Sequence, residues 1–384
     1  MKKIALVYDW LDTRFGGAEK VLRNLHQLYP EAPLYVAYQT AAAPPWAKKL
    51  KIHTSFLQKH LWLCRFKPLI AYFLPFAFES FNFDEYDLVI SVSSFAAKGI
   101  LTKPHQKHYC YLLTPTRFLY SHQETYTDHW FLKIPPFKQI FRAIQKSLLR
   151  WDQVAAHRPD YLIPISQLVA ARIHRYYHLD SLPPIYPPVD ATRFDQLKKQ
   201  LRARRPTTGI LDQIPFSEFD LIVARHTAYK RVDLALKAAV QAKRPLVIVG
   251  TGPLTEYYHT LAAKLDPRHL YLHFTGATND HDLVELYTAA QLFLMPGLED
   301  FGITGLEAQL FGSPVLVHKS SGVAELIEHQ VTGFHLEKET ISALLEGYNW
   351  YEKHQTTISP SKIIKNSLKY DQEHFKQLFH RYVI

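Results

Sequence analysis

Short apolar runs without internal polar alternation set the tightest limit on how this 384-residue chain can fold. In the first half they are Ile4 to Asp9, Asp87 to Ser93, His108 to Thr114 and Tyr161 to Ile165. In the second half they are Leu221 to Ala224, Leu246 to Gly250, Leu270 to Thr275, Leu292 to Met295 and Pro314 to His318. A strand with one wet face alternates, whereas a strand apolar on both faces must be covered on both, as in a parallel sheet flanked by helices. Segments of helical spacing separate the runs, so the pattern predicts two doubly wound, Rossmann-like α/β domains. The length suits two cores of similar size.

The break is expected at Leu182-Pro183-Pro184-Ile185-Tyr186-Pro187-Pro188-Val189-Asp190, because proline cannot donate to a ladder and stiffens a connection. This gives an N-terminal domain over 1–190, a linker over 191–215 and a C-terminal domain over 216–362. A terminal helix over 363–384 is expected to pack back on the first domain.

Charge is unevenly placed. Residues 1–200 carry 26 Lys and Arg against 15 Asp and Glu, so the net +10 lies wholly in the first half. Such a field suits acidic headgroups, diphosphate-linked acceptors or nucleic acid, and equally a solubilising surface. Between Trp46 and Phe81, Lys48, Lys49, Lys51, Lys59, Arg65 and Lys67 interleave with aromatic residues. That mixture suits a membrane headgroup boundary, and also an ordinary helix core with a solvated rim. No apolar run is long enough to span a bilayer, and the first residues lack the form of a signal peptide. Cys64 and Cys110 are the only cysteines, which excludes a disulfide scaffold and a thiolate zinc cluster. A cytosolic location follows as the expectation, with peripheral contact at the inner face of the cell membrane.

Four loops carry the chemistry. After the first strand, Gly16-Gly17 opens a helix and lets backbone amides approach an anion, although glycine pairs also occur in turns that bind nothing. Arg225 and Lys230 follow the strand ending at Ala224, where two cations could neutralise a diphosphate without a metal. Lys230 is expected at a helix start, where a cation opposes the dipole and anion binding is the more natural purpose. Gly250-Thr251-Gly252-Pro253 forms another tight turn. In Pro296 to Glu307, Glu299 precedes a helix and Glu307 lies one or two turns inside it, with the amides of Phe301, Gly302 and Ile303 between them. Carboxylates bind sugar hydroxyls and free amides take an anion, so one site could hold ribose, phosphate and sugar.

Along nearly its whole length the chain resembles the family 4 retaining glycosyltransferases of the GT-B fold. The resemblance rests on Gly16-Gly17-Ala18-Glu19, Arg225 with Lys230, Gly250-Thr251-Gly252-Pro253, the E-x7-E element Glu299 to Glu307, and Gly312-Ser313-Pro314-Val315. Ser55-Phe56-Leu57, Tyr86 to Ser91, Thr114-Pro115-Thr116-Arg117 and Tyr186 to Asp190 are similar to the bacterial O-antigen and exopolysaccharide mannosyltransferase branch.

The resemblance implies two Rossmann-like domains facing an interdomain cleft, and transfer of a hexose, mannose from GDP-mannose, to a lipid-linked or polysaccharide acceptor. No cofactor, metal or nucleic acid is implied. Arg225, Lys230 and Glu299 would be catalytic, the first two on the diphosphate and the third on the transferred sugar. Gly16, Gly17, Gly250, Gly252, Phe301, Gly302, Ile303 and Glu307 would bind the donor, with Glu307 on the ribose. Arg117 would line the acceptor side. Many relatives carry histidine where this chain has Leu113, leaving His108 and His122 as the nearby imidazoles; Ile165-Ser166 and Ser321-Gly322 also depart from the family pattern. A UDP-sugar transferase or epimerase of the same fold and a basic membrane-binding or nucleic-acid-binding protein are the competing classes. Asp280-His281-Asp282 has the form of a metal motif, but it reads better as a helix start capped by Asn279 or Asp280.

Overall fold

The computed structural model describes residues 2–12, 16–65, 67–121, 137–204 and 209–383. The chain divides into two compact units, Met1–Tyr186 with Lys376–Ile384, and Pro187–Phe375.

The first unit holds a six-stranded parallel sheet of β1 (Ile4–Tyr8), β2 (Leu34–Val36), β3 (Ile52–Thr54), β4 (Leu88–Ser93), β5 (Lys107–Leu112) and β6 (Tyr161–Pro164), in the order β3-β2-β1-β4-β5-β6. The second holds β7 (Asp220–Val223), β8 (Leu246–Val249), β9 (Leu272–Gly276), β10 (Phe293–Met295), β11 (Val315–His318) and β12 (Gly333–Leu336), in the order β12-β11-β10-β7-β8-β9. Every pairing in both sheets is parallel. Residues such as Leu6, Ile90, Val247 and Leu294 are buried, as two-sided coverage requires.

In each sheet the chain winds outward, returns, and continues on the far side of its first strand. That reversal falls between β1 and β4 in one unit and between β7 and β10 in the other. Loops leaving the carboxyl ends of two such strands diverge to opposite faces and open a crevice for ligand.

Two expected segments fold differently. The 191–215 stretch contains a helix, Ala191–Arg204. Asp190 starts it by accepting from the Arg193 amide at 3.1 Å, and Phe194 packs edge-on against Tyr287 and Phe311. An apolar anchor behind a good cap makes this part of the second unit rather than a spacer. The single helix expected over 363–384 is two, Pro360–Leu368 and Gln372–Val383. Asp371 interrupts them because its carboxylate accepts from the His374 amide at 2.9 Å, starting a new helix. The ring of Phe379 then lies 5.9 Å from that of Tyr111 in the first unit.

Candidate functional site

The switch point of the second unit gathers most of the candidate residues. β7 runs into Arg225-His226-Thr227, a loop held from below by the turn after β8. A Cβ on Gly250, whose φ is +119°, would stand 2.1 Å from the Ala224 carbonyl oxygen; one on Gly252 would stand 2.6 Å from that of His226. The close approach these glycines allow is therefore to the neighbouring backbone. Their amides are also engaged, Gly250 N–H with the Gly276 carbonyl at 2.8 Å and Gly252 N–H with Thr255 Oγ1 at 2.8 Å. Gly250 and Gly252, expected among the donor-binding residues, shape the loop that carries Arg225. His226 is buried there, with Nδ1 3.0 Å from Thr255 Oγ1, while Arg225 is exposed and forms no ion pair among the described residues.

Lys230 ends a short turn, Ala228–Lys230, and does not start the helix as expected. The helix is Val232–Ala242, and Arg231 before it adopts a left-handed backbone with φ 53°. That residue reverses the chain and turns the Lys230 side chain toward the loop after β10. The two loops nearly touch: a Cβ on Gly297 would lie 2.0 Å from the Tyr229 carbonyl oxygen. Across that contact the Lys230 ammonium pairs with Glu299 Oε2, their side chains only 15% and 11% exposed. Desolvated charges of opposite sign need one another, so each fixes the other's position.

Glu299 is pinned on its backbone as well. Its amide donates to Ser321 Oγ at 3.0 Å, and Ser321 Oγ donates to the Gly297 carbonyl at 3.2 Å. Ser321 is thus a departure from the family pattern with a structural use. Gly302 has φ +97°, and a Cβ there would strike Met295 Cε at 2.4 Å; its strained turn launches the helix Ile303–Gln309. The amides of Gly302 and Ile303 donate to no acceptor among the described residues, and Phe301 is buried with its carbonyl accepting from Val323 N–H at 2.8 Å. Glu307, 2% exposed, sits inside that helix and accepts from Tyr287 O–H at 3.1 Å. Burial, then the neighbouring Glu307 charge, pushes the Tyr287 phenol well above its usual range, so it stays a donor. Lys230 and Glu299 are in contact, while Glu307 is held by Tyr287. Tyr287 carried no motif signal and Ser321 only a departure from the family pattern, because only the fold brings them to this site.

The first unit uses its switch point differently. Asp9, just past β1, accepts from the amides of Ser94 at 2.6 Å, Phe95 at 3.0 Å, Ala96 at 2.8 Å and Ala97 at 2.7 Å. The loop after β4 thus forms an anion cradle that the chain fills itself. Gly16 caps the helix Gly17–Leu28 in an ordinary extended conformation, and Thr13, Arg14 and Phe15 lie outside the described residues. Glu19 on that helix accepts from Tyr8 O–H at 2.8 Å, and burial raises its carboxyl above the usual range. Arg117 begins the short helix Arg117–Tyr120, anchored from behind by a buried group: Asp152 accepts from Lys98 Nζ at 2.5 Å, Thr116 Oγ1 at 2.6 Å and Tyr120 O–H at 3.1 Å. His108 lies near the amino end of β5, far along the strand from Leu113, with Nε2 2.8 Å from Ser91 Oγ. Burial pushes it down to about 3, so it is a neutral core histidine and does not stand in at Leu113. His122 lies outside the described residues.

Asn279 caps the helix Asp280–Ala289, its side chain accepting from Asp282 N–H at 3.0 Å, and Asp280 pairs with Arg193. Among the described residues no group of three or more His, Cys, Asp or Glu gathers as a metal site would require.

Residues 217–370, which span this second sheet and its loops, match the glycosyl transferases group 1 family. The second unit holds a glycosyl transferases group 1 domain. An uncharacterised glycosyltransferase of Methanocaldococcus jannaschii is 28% identical over 47% of this chain and 50% of its own. A GDP-mannose-dependent α-(1-6)-phosphatidylinositol monomannoside mannosyltransferase of Mycobacterium tuberculosis is 30% identical over 43% of this chain and 45% of its own. The chain thus spans about half the length of these relatives. The human α-1,3/1,6-mannosyltransferase is 26% identical over 64% of this chain and 62% of its own. Among solved structures, Anabaena HepE in complex with UDP-glucose matches with TM-score 0.70 at 18% identity, covering 100% of this chain and 99% of that one. Sucrose-phosphate synthase of Thermosynechococcus elongatus gives 0.70 at 14%, covering 100% and 98%. The group 1 domain and the Rossmann-like unit before it have the GT-B fold.

Proposed function

We propose that this chain is a retaining glycosyltransferase that moves mannose from GDP-mannose to a lipid-linked or polysaccharide acceptor in cell-surface glycan synthesis, without a metal or other cofactor. The observation that carries the reading is the Lys230–Glu299 pair at the switch point, beside a helix N-terminus with unmet amides. A diphosphate arriving there meets the Lys230 ammonium, the exposed Arg225 guanidinium and the amides of Gly302 and Ile303, which stabilise the charge that grows as the anomeric bond breaks. Glu299, released from part of its hold on Lys230, turns to the hydroxyls of the sugar, and Glu307 accepts from the ribose. Gly16, Gly17 and Arg117 are the first unit's candidates for phosphate and acceptor contact. The mannose assignment is supported by relatives whose names specify GDP-mannose, from Mycobacterium tuberculosis and Corynebacterium glutamicum, and by an O-antigen chain mannosyltransferase of Escherichia coli.

UDP-glucose is the second reading, favoured by the ligand of Anabaena HepE. A thermal-shift series with GDP, UDP and ADP and their sugars separates the two, since the correct donor raises the midpoint as its concentration passes its dissociation constant. No shift with any of them sinks the assignment.

Contact with an anionic membrane face belongs to the same proposal. Trp62 at 60% and Phe76 at 51% exposure are exposed along with Phe56, in the same stretch of chain as exposed Lys48, Lys49, Lys51 and Lys59. Among the described residues no helix is long and apolar enough to cross a membrane. Sedimentation with vesicles of anionic but not neutral lipid, lost in Trp62→Ser with Phe76→Ser, is the expected result; equal sedimentation of wild type and variant overturns it.

A further inference from the structure

Glu339 follows β12, the strand at the far edge of the second sheet, yet its carboxylate reaches the loops that leave the two switch-point strands. Oε1 accepts from the Leu298 amide at 2.9 Å, one residue before Glu299. Oε2 accepts from Arg231 Nη1 at 2.8 Å, one residue after Lys230. We propose that Glu339 is a positioning residue which, through Arg231 and Leu298, holds Lys230 and Glu299 in register for a nucleoside diphosphate; this rests on the donor-site reading above.

The geometry gives the reason. Arg231 sits in the left-handed region, a conformation unfavourable for a side chain with a Cβ unless its surroundings impose it. Its guanidinium is held from two sides, by Glu339 and by Asp233, with Arg231 Nε 3.2 Å from Asp233 Oδ1. Asp233 lies on the helix that Arg231 begins and so cannot tie that helix to the other loop. Of these two acids, Glu339 is the one that joins them, through Leu298. Its own anchor is firm, because the next residue, Thr340, caps the helix Ile341–His354 by accepting from Ala343 N–H at 3.3 Å. Any ligand that loosens Lys230 from Glu299 removes the direct tie between the loops, and the Glu339 bridge then keeps their spacing.

The test measures affinity for GDP, for UDP and for their nucleosides in the wild type, Glu339→Ala and Glu339→Gln, alongside thermal midpoints. Glu339→Ala is expected to weaken the diphosphate roughly tenfold to hundredfold, the range set by a charge-assisted hydrogen bond, while nucleoside affinity holds. Glu339→Gln keeps an acceptor for Leu298 and loses only the charge facing Arg231, so its loss is intermediate, and it serves if the alanine variant fails to fold. Diphosphate affinity equal to wild type in Glu339→Gln overturns the proposal, as does a parallel loss of nucleoside affinity, which marks a general structural defect. Wild-type protein that binds neither diphosphate overturns the donor-site reading itself, and is seen before any variant is made.

Discussion

Lys230 and Glu299, 69 positions apart, form an ion pair where β7 and β10 release their loops. Under the proposed function, the pair joins the cation assigned to the diphosphate to the acid assigned to the sugar. Because both side chains are largely buried, neither charge can be removed without stranding the other. On the proposed donor-site reading, a ligand carrying both a diphosphate and hydroxyl groups satisfies both charges at once.

A double-mutant cycle checks this. Lys230→Met and Glu299→Gln are each expected to cost roughly 2 to 4 kcal/mol in urea denaturation, and the double variant clearly less than their sum, since the second change removes a charge already stranded. Additive losses would mean that the two groups do not depend on each other.

Gly297→Ala attacks the same loops through the backbone. The added methyl would meet the Tyr229 carbonyl oxygen at 2.0 Å and the Lys230 carbonyl carbon at 2.8 Å, and neither is the end of a flexible side chain. A loss of about 2 kcal/mol or more is expected, with diphosphate binding falling further as Lys230 is displaced. Gly276→Ala provides the comparison: its φ is +70° but the space around it is open, so strain of about 1 kcal/mol is the whole expected effect. Equal thermal midpoints for the two variants would contradict the packing argument.

The contrast explains what could be read from sequence. Two-sided burial made the parallel strands visible at runs such as Leu246 to Gly250, whereas β2, β3 and β12 are short and histidines such as His53 and His335 interrupt the apolar run in the last two. Glu299, Lys230 and Gly302 stand in motifs whose chemistry is local. Ser321, Tyr287 and Glu339 act through partners 22, 20 and 41 or more positions away, and no local spacing announces such a contact. Gly250 and Gly252 show what a glycine motif leaves open. A glycine pair reports close approach, but not whether ligand or backbone approaches, and here it is the Ala224–His226 backbone.

Asp9 tests whether the first unit's switch point binds nucleotide. Its carboxylate fills the cradle of four amides at the first switch point, so Asp9→Asn replaces an acceptor by a group that is half donor and leaves amides unmet. A loss of roughly 2 to 4 kcal/mol is expected. Hydrogen exchange should quicken at Ser94 to Ala97 while nucleotide affinity stays unchanged. Weakened nucleotide binding in a folded Asp9→Asn protein would instead make this cradle part of the donor site.

His108 gives the pH dependence. Its ring is buried against Ser91, and burial holds it neutral down to about pH 3, against an unfolded value near 6.5. The nearby Asp160, whose carboxylate accepts from the His108 amide at 2.8 Å, pulls the other way and is outweighed. Between those two values the unfolded chain binds a proton that the native chain does not. This contribution is therefore full above about pH 6.5 and is lost, by up to about 1.4 kcal/mol per pH unit, as pH falls toward 3. Burial also lowers His226, His273, His318 and His335, which adds slope of the same sign, so the informative quantity is a difference. Urea denaturation of wild type and His108→Gln between about pH 7 and pH 5 should show the variant losing stability less steeply. Parallel slopes would mean that His108 takes up its proton in the folded protein, and that the strand around it opens to let it do so.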